Sequence, residues 1–144
     1  MRARDGARIG LAIVAGLFVG CVVVQVFLAG LGVFDGPGAF ITHREFGYTF
    51  GWLTIVMLLL AALGRVPRGL LGLTALSLVL FALQSVFIAL RADYPQVAAL
   101  HPVNGMALLL VGIAITRWAW ALRPSMREAP TSSPSLATDS RSPS

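Results

Sequence analysis

The chain has 144 residues, of which 57% are hydrophobic and 12% charged. A soluble domain carries about 25% charged residues, so this composition excludes a water-soluble globular enzyme. All eleven basic residues are Arg against six acids, a net charge of +5; because they punctuate long apolar runs, they fit membrane topology and exclude a nucleic-acid surface.

Four apolar runs follow in chain order. Between Arg8 and Asp35 lie 26 uncharged residues; Phe46 to Gly64 gives 19, Gly69 to Leu90 gives 22 and Tyr94 to Thr116 gives 23. About 20 apolar residues cross the hydrocarbon core as a helix, and lipid offers no other partner to backbone N–H and C=O groups. The predicted fold is therefore all-α, a four-transmembrane-helix bundle in residues 1–123. A signal-peptide reading of the first run fails on length, since such cores run about 7–15 residues. Cys21 lies within this run and, as the single Cys, forms no internal disulfide.

Arg2, Arg4 and Arg8 precede the first span, Arg65 and Arg68 join the second to the third, and Arg117, Arg123 and Arg127 follow the fourth. The other two connections hold only Arg44 and Arg91. The positive-inside rule then predicts a multi-pass protein of the inner (cytoplasmic) membrane with both termini cytoplasmic. Trp118 and Trp120 fall at the inner interface, and Phe40, Tyr48 and Tyr94 at the outer. Residues 124–144 hold four Pro, seven Ser and two Thr, which predicts a disordered cytoplasmic tail.

A shift of 58 residues lays Asp35, Pro37, His43 and Gly47 on Asp93, Pro95, His101 and Gly105, and one extra residue brings Gln25 onto Gln84. These are scarce types here: two His and four Gln or Asn in all. The pattern predicts two duplicated helical hairpins, 9–64 and 69–122, related by a pseudo-two-fold axis along the membrane normal. Gln25 and Gln84 are then expected to face each other from the first and third spans. Asp35 and Asp93 read as N-caps, with each Pro in the first turn and each His about two turns in. Thr42-His43-Arg44-Glu45 offers a competing start as a capping box, with His43 at the helix edge.

Ionisable residues in a span usually face the bundle interior, and neutral imidazole is a haem-iron ligand. His43 and His101, each with Gly47 or Gly105 one turn deeper on the same face, are the pattern a bis-histidine haem b site needs. In that reading the two His ligate the iron and the two Gly clear room for the macrocycle. Arg44 and Arg91 pair with propionates, and Gln25 and Gln84 orient the imidazoles. A second reading uses the same polar groups, with Asn104, only as interhelical hydrogen bonds in a cofactor-free structural or assembly protein. The expected partners are the lipid bilayer and a redox or membrane-protein partner. Transport is disfavoured, since no acid or base lies well inside a span, and no nucleophile–His–acid pattern points to an enzyme.

The four spans in two hairpins, with His43-Arg44 near the outer end of the second and His101 near that of the fourth, resemble one half of haem A synthase over roughly residues 9–122. The resemblance implies haem-coordinating His pairs on the second and fourth helices. It also implies an acid one turn before the second-helix His, where this chain has Phe40, and extracellular cysteines, which it lacks; both departures argue against oxidative chemistry. Through Gln25…Ala29-Gly30, His43-Arg44 and Leu100-His101-Pro102-Val103-Asn104-Gly105, the chain more closely resembles small bacterial four-helix membrane proteins of unknown function.

Overall fold

The computed structural model describes residues 3–122, and all their regular structure is helical. Helix α1 spans Ala3–Phe34, α2 Ala39–Leu63, α3 Arg68–Ala89, α4 the single turn Pro95–Ala98, and α5 Leu100–Ala121. Four segments are long and apolar enough to cross a bilayer: α1, α2, α3 and the combined stretch Pro95–Ala121. They match the four charge-free runs closely, as expected where only helices satisfy the backbone in lipid. The tail 124–144, with Arg123 and Arg127, lies outside the described residues.

The helices run up and down in a ring. Sequence neighbours pack together, α5 closes back onto α1, and the diagonal pairs α1/α3 and α2/α5 make no close backbone approach. Short connections make neighbours antiparallel. One end of the bundle therefore carries Arg4, Arg8, Arg65, Arg68 and Arg117, and the other carries both histidines.

Because the helices are apolar all round, the core is marked by small size as much as by hydrophobicity. Ala12, Ala15, Ala61 and Ala119 are buried with Leu11, Phe18, Met57, Leu70 and Ile115. Small residues let helix backbones approach, the main source of association where lipid is as apolar as Leu. At Gly112 of α5, a Cβ would come within 3.0 Å of Val19 and 3.2 Å of Phe18, so this glycine sets the α1–α5 contact. The buried hydroxyls of Thr54, Thr74 and Ser77 each donate to the carbonyl three residues back in their own helix.

The turns correct the predicted caps. Asp35 donates its N–H to Leu31 O at 2.8 Å and so ends α1, with Gly36 following at φ +139°. Helix α2 begins only at Ala39, and Tyr94 precedes the first turn of α4, so neither Asp is an N-cap. The capping-box start fails as well, because Thr42 lies inside α2. His43 consequently sits one turn inside its helix, not two. The Pro at 37 and the freedom of Gly36 favour a compact turn over an early helix start.

At the arginine end, α2 closes with a Schellman motif. Val66 N–H reaches Ala61 O at 3.2 Å and Arg65 N–H reaches Ala62 O at 3.1 Å, with Arg65 left-handed at φ +46°. The Arg8 side chain donates from Nε to Gly64 O at 3.0 Å. This ties the start of α1 to the end of α2 and satisfies a helix-terminal carbonyl.

Candidate functional site

At the end opposite the arginines, His43 of α2 and His101 of α5 meet across a bundle diagonal. Their ring centroids lie 6.1 Å apart with the planes at 61°. Both residues are half-buried. Each ring is held by the preceding helix of its own hairpin: His43 Nδ1 lies 3.0 Å from Gln25 O, and His101 Nδ1 lies 3.3 Å from Gln84 O. A carbonyl only accepts, so a hydrogen bond to it makes Nδ1 the donor and leaves Nε2 as the atom that could bind a metal; at His101 the Gln84 amide nitrogen also lies 3.3 Å from Nδ1. Both rings thus meet a backbone carbonyl of the neighbouring span in corresponding places.

The glutamine side chains complete the frame. Gln25 Nε2 donates to His43 O at 2.7 Å. The surroundings of Gln84 orient its amide so that the nitrogen donates to His101 O at 3.0 Å and the oxygen accepts from Gly105 N at 3.3 Å. In an α-helix the carbonyl of residue i and the N–H of residue i+4 form one rung. The Gln84 amide therefore lies on the His101–Gly105 rung, and Gln25 bonds the carbonyl of the His43–Gly47 rung.

This placement accounts for the glycines. A Cβ at Gly47 would stand 2.8 Å from Gln25 Nε2, and one at Gly105 would stand 3.3 Å from the Gln84 amide. Each Gly lets an amide approach the helix. The amide now occupies the space that the sequence reading reserved for a macrocycle. Nor do Gln25 and Gln84 face each other: α1 and α3 stand on a diagonal, and each amide turns to its own hairpin. The sequence signal for this was present, since the shift of 58 that aligns the His-xxx-Gly motifs brings the Gln residues they touch to within one residue of each other.

The surroundings are mixed. Asn104, buried on α5, donates from Nδ2 to Leu80 O of α3 at 2.8 Å and lies 3.0 Å from the Gln84 amide. Deeper in, Phe18, Phe50 and Phe81 from three helices form an aromatic cluster with centroids 5.4–6.5 Å apart. Phe46 joins it 5.3 Å from Phe50. Phe40, where the resemblance expected an acid, packs its ring 6.4 Å from His43 and covers Gly32. The sequence reading gave these aromatics no part in the site.

The two arginines at this end are engaged elsewhere. Arg44 pairs with Glu45 at 2.8 Å on the exposed surface, and Arg91 donates to Ile88 O at 3.0 Å. An ion pair as exposed as the first contributes little to stability. Among the described residues, no group of three or more His, Cys, Asp or Glu gathers as a metal cluster. The two imidazoles form a pair of metal-ligand types at this end.

Residues 25–91 match the model of a family of unknown function, DUF6220. The matched stretch holds Gln25, His43, Gly47 and Gln84 and stops before His101 and Gly105. No curated protein and no solved structure matches the chain. The likeness to haem A synthase therefore rests on the short motifs alone.

Proposed function

We propose that the protein is an inner-membrane, bis-histidine haem b protein with an electron-transfer or haem-handling role, ligated by His43 and His101. The observation that carries the reading is the pair of imidazoles meeting across the diagonal with both Nδ1 atoms already committed. Metal-ligating His almost always gives its other N–H to a carbonyl or carboxylate, which fixes the ring and raises its basicity. With their centroids 6.1 Å apart, His43 and His101 could hold one iron between them, and a macrocycle there would have to displace the Gln25 and Gln84 amides that stand over Gly47 and Gly105.

Bound haem supplies one-electron exchange at its iron. The residues of this chain hold and tune it. Gln25 and Gln84 lock the imidazoles through their carbonyls, and the phenylalanine cluster keeps the inner side apolar. Arg44 and Arg91 stand at the rim, where release from Glu45 and Ile88 frees them for propionates. The corresponding Gln–His–Gly contacts in the two halves support the reading of 9–64 and 69–122 as duplicated hairpins about a common axis. The arginine distribution supports cytoplasmic termini.

The Asn104–Leu80 and Gln25–His43 bonds favour a second reading, in which the polar frame is interhelical bonding and holds no cofactor. Absorption spectra of the purified chain, taken with haem supplied and before and after dithionite, separate the two. The haem reading expects a Soret band with sharp reduced α and β bands, lost in both His43→Ala and His101→Ala while helical circular dichroism persists. No Soret band after reconstitution sinks it and leaves the bonding role.

A further inference from the structure

A second feature lies at the arginine end and does not depend on haem. Helices α1 and α5 touch closely at Gly112, against Phe18 and Val19. Towards the arginine end a groove of about 120 Å³ opens between them, lined by Gly16, Val19, Ile113, Thr116 and Arg117. Gly16 contributes no side chain, and Thr116 turns its hydroxyl inward to Gly112 O at 2.8 Å. The walls are therefore apolar except at one end, where the exposed Arg117 makes no hydrogen bond or ion pair among the described residues.

We infer that this groove binds one anionic phospholipid, with an acyl chain along Gly16, Val19 and Ile113 and the phosphate at Arg117. Two observations support that occupant. The depth is right: the next residue, Trp118, packs its ring 2.8 Å from the Cβ position of Gly69, beside Arg68 at the start of α3. Arg117 thus sits at the level where a span meets the headgroups, with Trp118 and Trp120 nearby as interfacial anchors. The charge is right as well. Arg4, Arg8, Arg65, Arg68 and Arg117 against Asp5 give this end +4 among the described residues, whereas Arg44 and Arg91 against Asp35, Glu45 and Asp93 give the other end −1.

The same charge disfavours a second copy of the chain. A parallel pairing through Gly16 and Gly20 sets two +4 ends side by side, whereas an anionic headgroup neutralises one. Arginine suits the role because its planar fork meets phosphate oxygens in pairs, and basic pockets between spanning helices are recognised headgroup sites.

The test is native mass spectrometry of the full-length chain in detergent, titrated with dioleoyl phosphatidylglycerol or dioleoyl phosphatidylcholine. The intact chain is expected to retain one phosphatidylglycerol about fivefold better than phosphatidylcholine. Arg117→Gln abolishes that preference, while Arg68→Gln, at the same level but outside the groove, keeps it. Gly16→Leu and Ile113→Trp, which fill the groove from opposite walls, each lower retention of both lipids; two variants guard against one that fails to fold. The inference is overturned if Arg117→Gln keeps the full preference, or if Arg68→Gln loses as much, which means diffuse attraction to a basic surface. It is equally overturned if the intact chain is a dimer that Gly16→Leu converts to monomer, because a second copy then occupies the groove.

Discussion

The two hairpins build the same frame with different neighbours. In each, a Gln near the end of one helix gives its carbonyl to a His Nδ1 and its amide to the His carbonyl, beside a Gly four residues on. Around Gln84 both ends of the amide are engaged, and Asn104 adds a bond to Leu80 O. In the first hairpin the residue 58 positions before Asn104 is Phe46, which joins the phenylalanine cluster. Gln25 Oε1 is left buried with no partner. One half closes its frame with an amide and the other with an aromatic ring. The first hairpin thus carries both the ring packing and an unsatisfied oxygen, a group that costs about 1–3 kcal/mol when fully desolvated.

The largest expected effect comes from the aromatic side of this contrast. A Cβ at Gly51 runs into the Phe81 ring, which Phe50 and Phe18 hold at centroid distances of 5.4 and 6.5 Å. A ring so confined cannot swing aside, so Gly51→Ala is expected to destabilise by about 2 kcal/mol, as overpacked cores do. Unfolding in mixed micelles by titration with dodecyl sulfate measures it. The counterpart in the second half is Leu109, partly buried against the same core, so the two halves differ in size tolerance here as well as in polarity. A neutral Gly51→Ala breaks the account of the cluster as rigid.

Next come the two site glycines, which rank by their clearances. At Gly47 the added methyl meets Gln25 Nε2 at 2.8 Å, and at Gly105 the gap is 3.3 Å. Alanine gains up to about 1 kcal/mol over glycine in a helix interior, so Gly105→Ala is expected to be near neutral. Gly47→Ala displaces the donor of the Gln25–His43 bond and is expected to be about 1 kcal/mol worse than Gly105→Ala. In a Gln25→Ala background that excess disappears, because the atom in the way has gone. Equal effects of the two alanines, with or without Gln25, remove the clash as the reason for glycine.

These positions also show how far the sequence could be read. Span number and limits were legible because charge-free runs of about 20 residues have one solution in lipid. The meeting of His43 and His101 was legible through the register that paired two scarce residues. The caps were not, since Asp-x-Pro fits a turn as well as a helix start, and the choice depends on how α1 ends at Gly36. The surroundings of the glycines were not legible for a different reason. Spacing places them on the histidine face, but only the fold shows that the amides of α1 and α3 fill the space above them. Phe18, Phe46, Phe50 and Phe81 were invisible as a group because every span is apolar on all sides.

Replacing the glutamines sharpens the contrast directly. Gln84→Leu strips a donor from His101 O and a partner from Gly105 N, and it removes the amide beside Asn104. Gln25→Leu loses the bond to His43 O but also removes the unpartnered oxygen. Interhelical polar bonds in membranes average about 0.6 kcal/mol, so Gln84→Leu is expected to cost about 1 kcal/mol and Gln25→Leu less than half of that. The same micelle titration ranks them. A larger loss at Gln25 means that its oxygen has a partner, such as a buried water, and that the halves are more alike than the direct contacts indicate.

The smallest effect is the most specific, because it asks whether the difference at positions 46 and 104 causes the unsatisfied oxygen at Gln25. Phe46→Asn offers that oxygen an amide in the register position of Asn104. Alone it is expected to destabilise slightly, because an aromatic pair such as Phe46–Phe50 contributes about 0.5–1.5 kcal/mol beyond its buried area and the new bond returns only part of that. The coupling carries the answer. If the introduced amide closes the frame, Phe46→Asn costs about 0.6 kcal/mol more in a Gln25→Leu background than in the intact chain, the average for one polar bond between membrane helices. A double-mutant cycle isolates this term from the lost ring packing, which is common to both backgrounds. A coupling of zero means that the 58-residue register aligns the helices without aligning their polar surroundings. The unpaired oxygen of Gln25 is then independent of the residue at position 46.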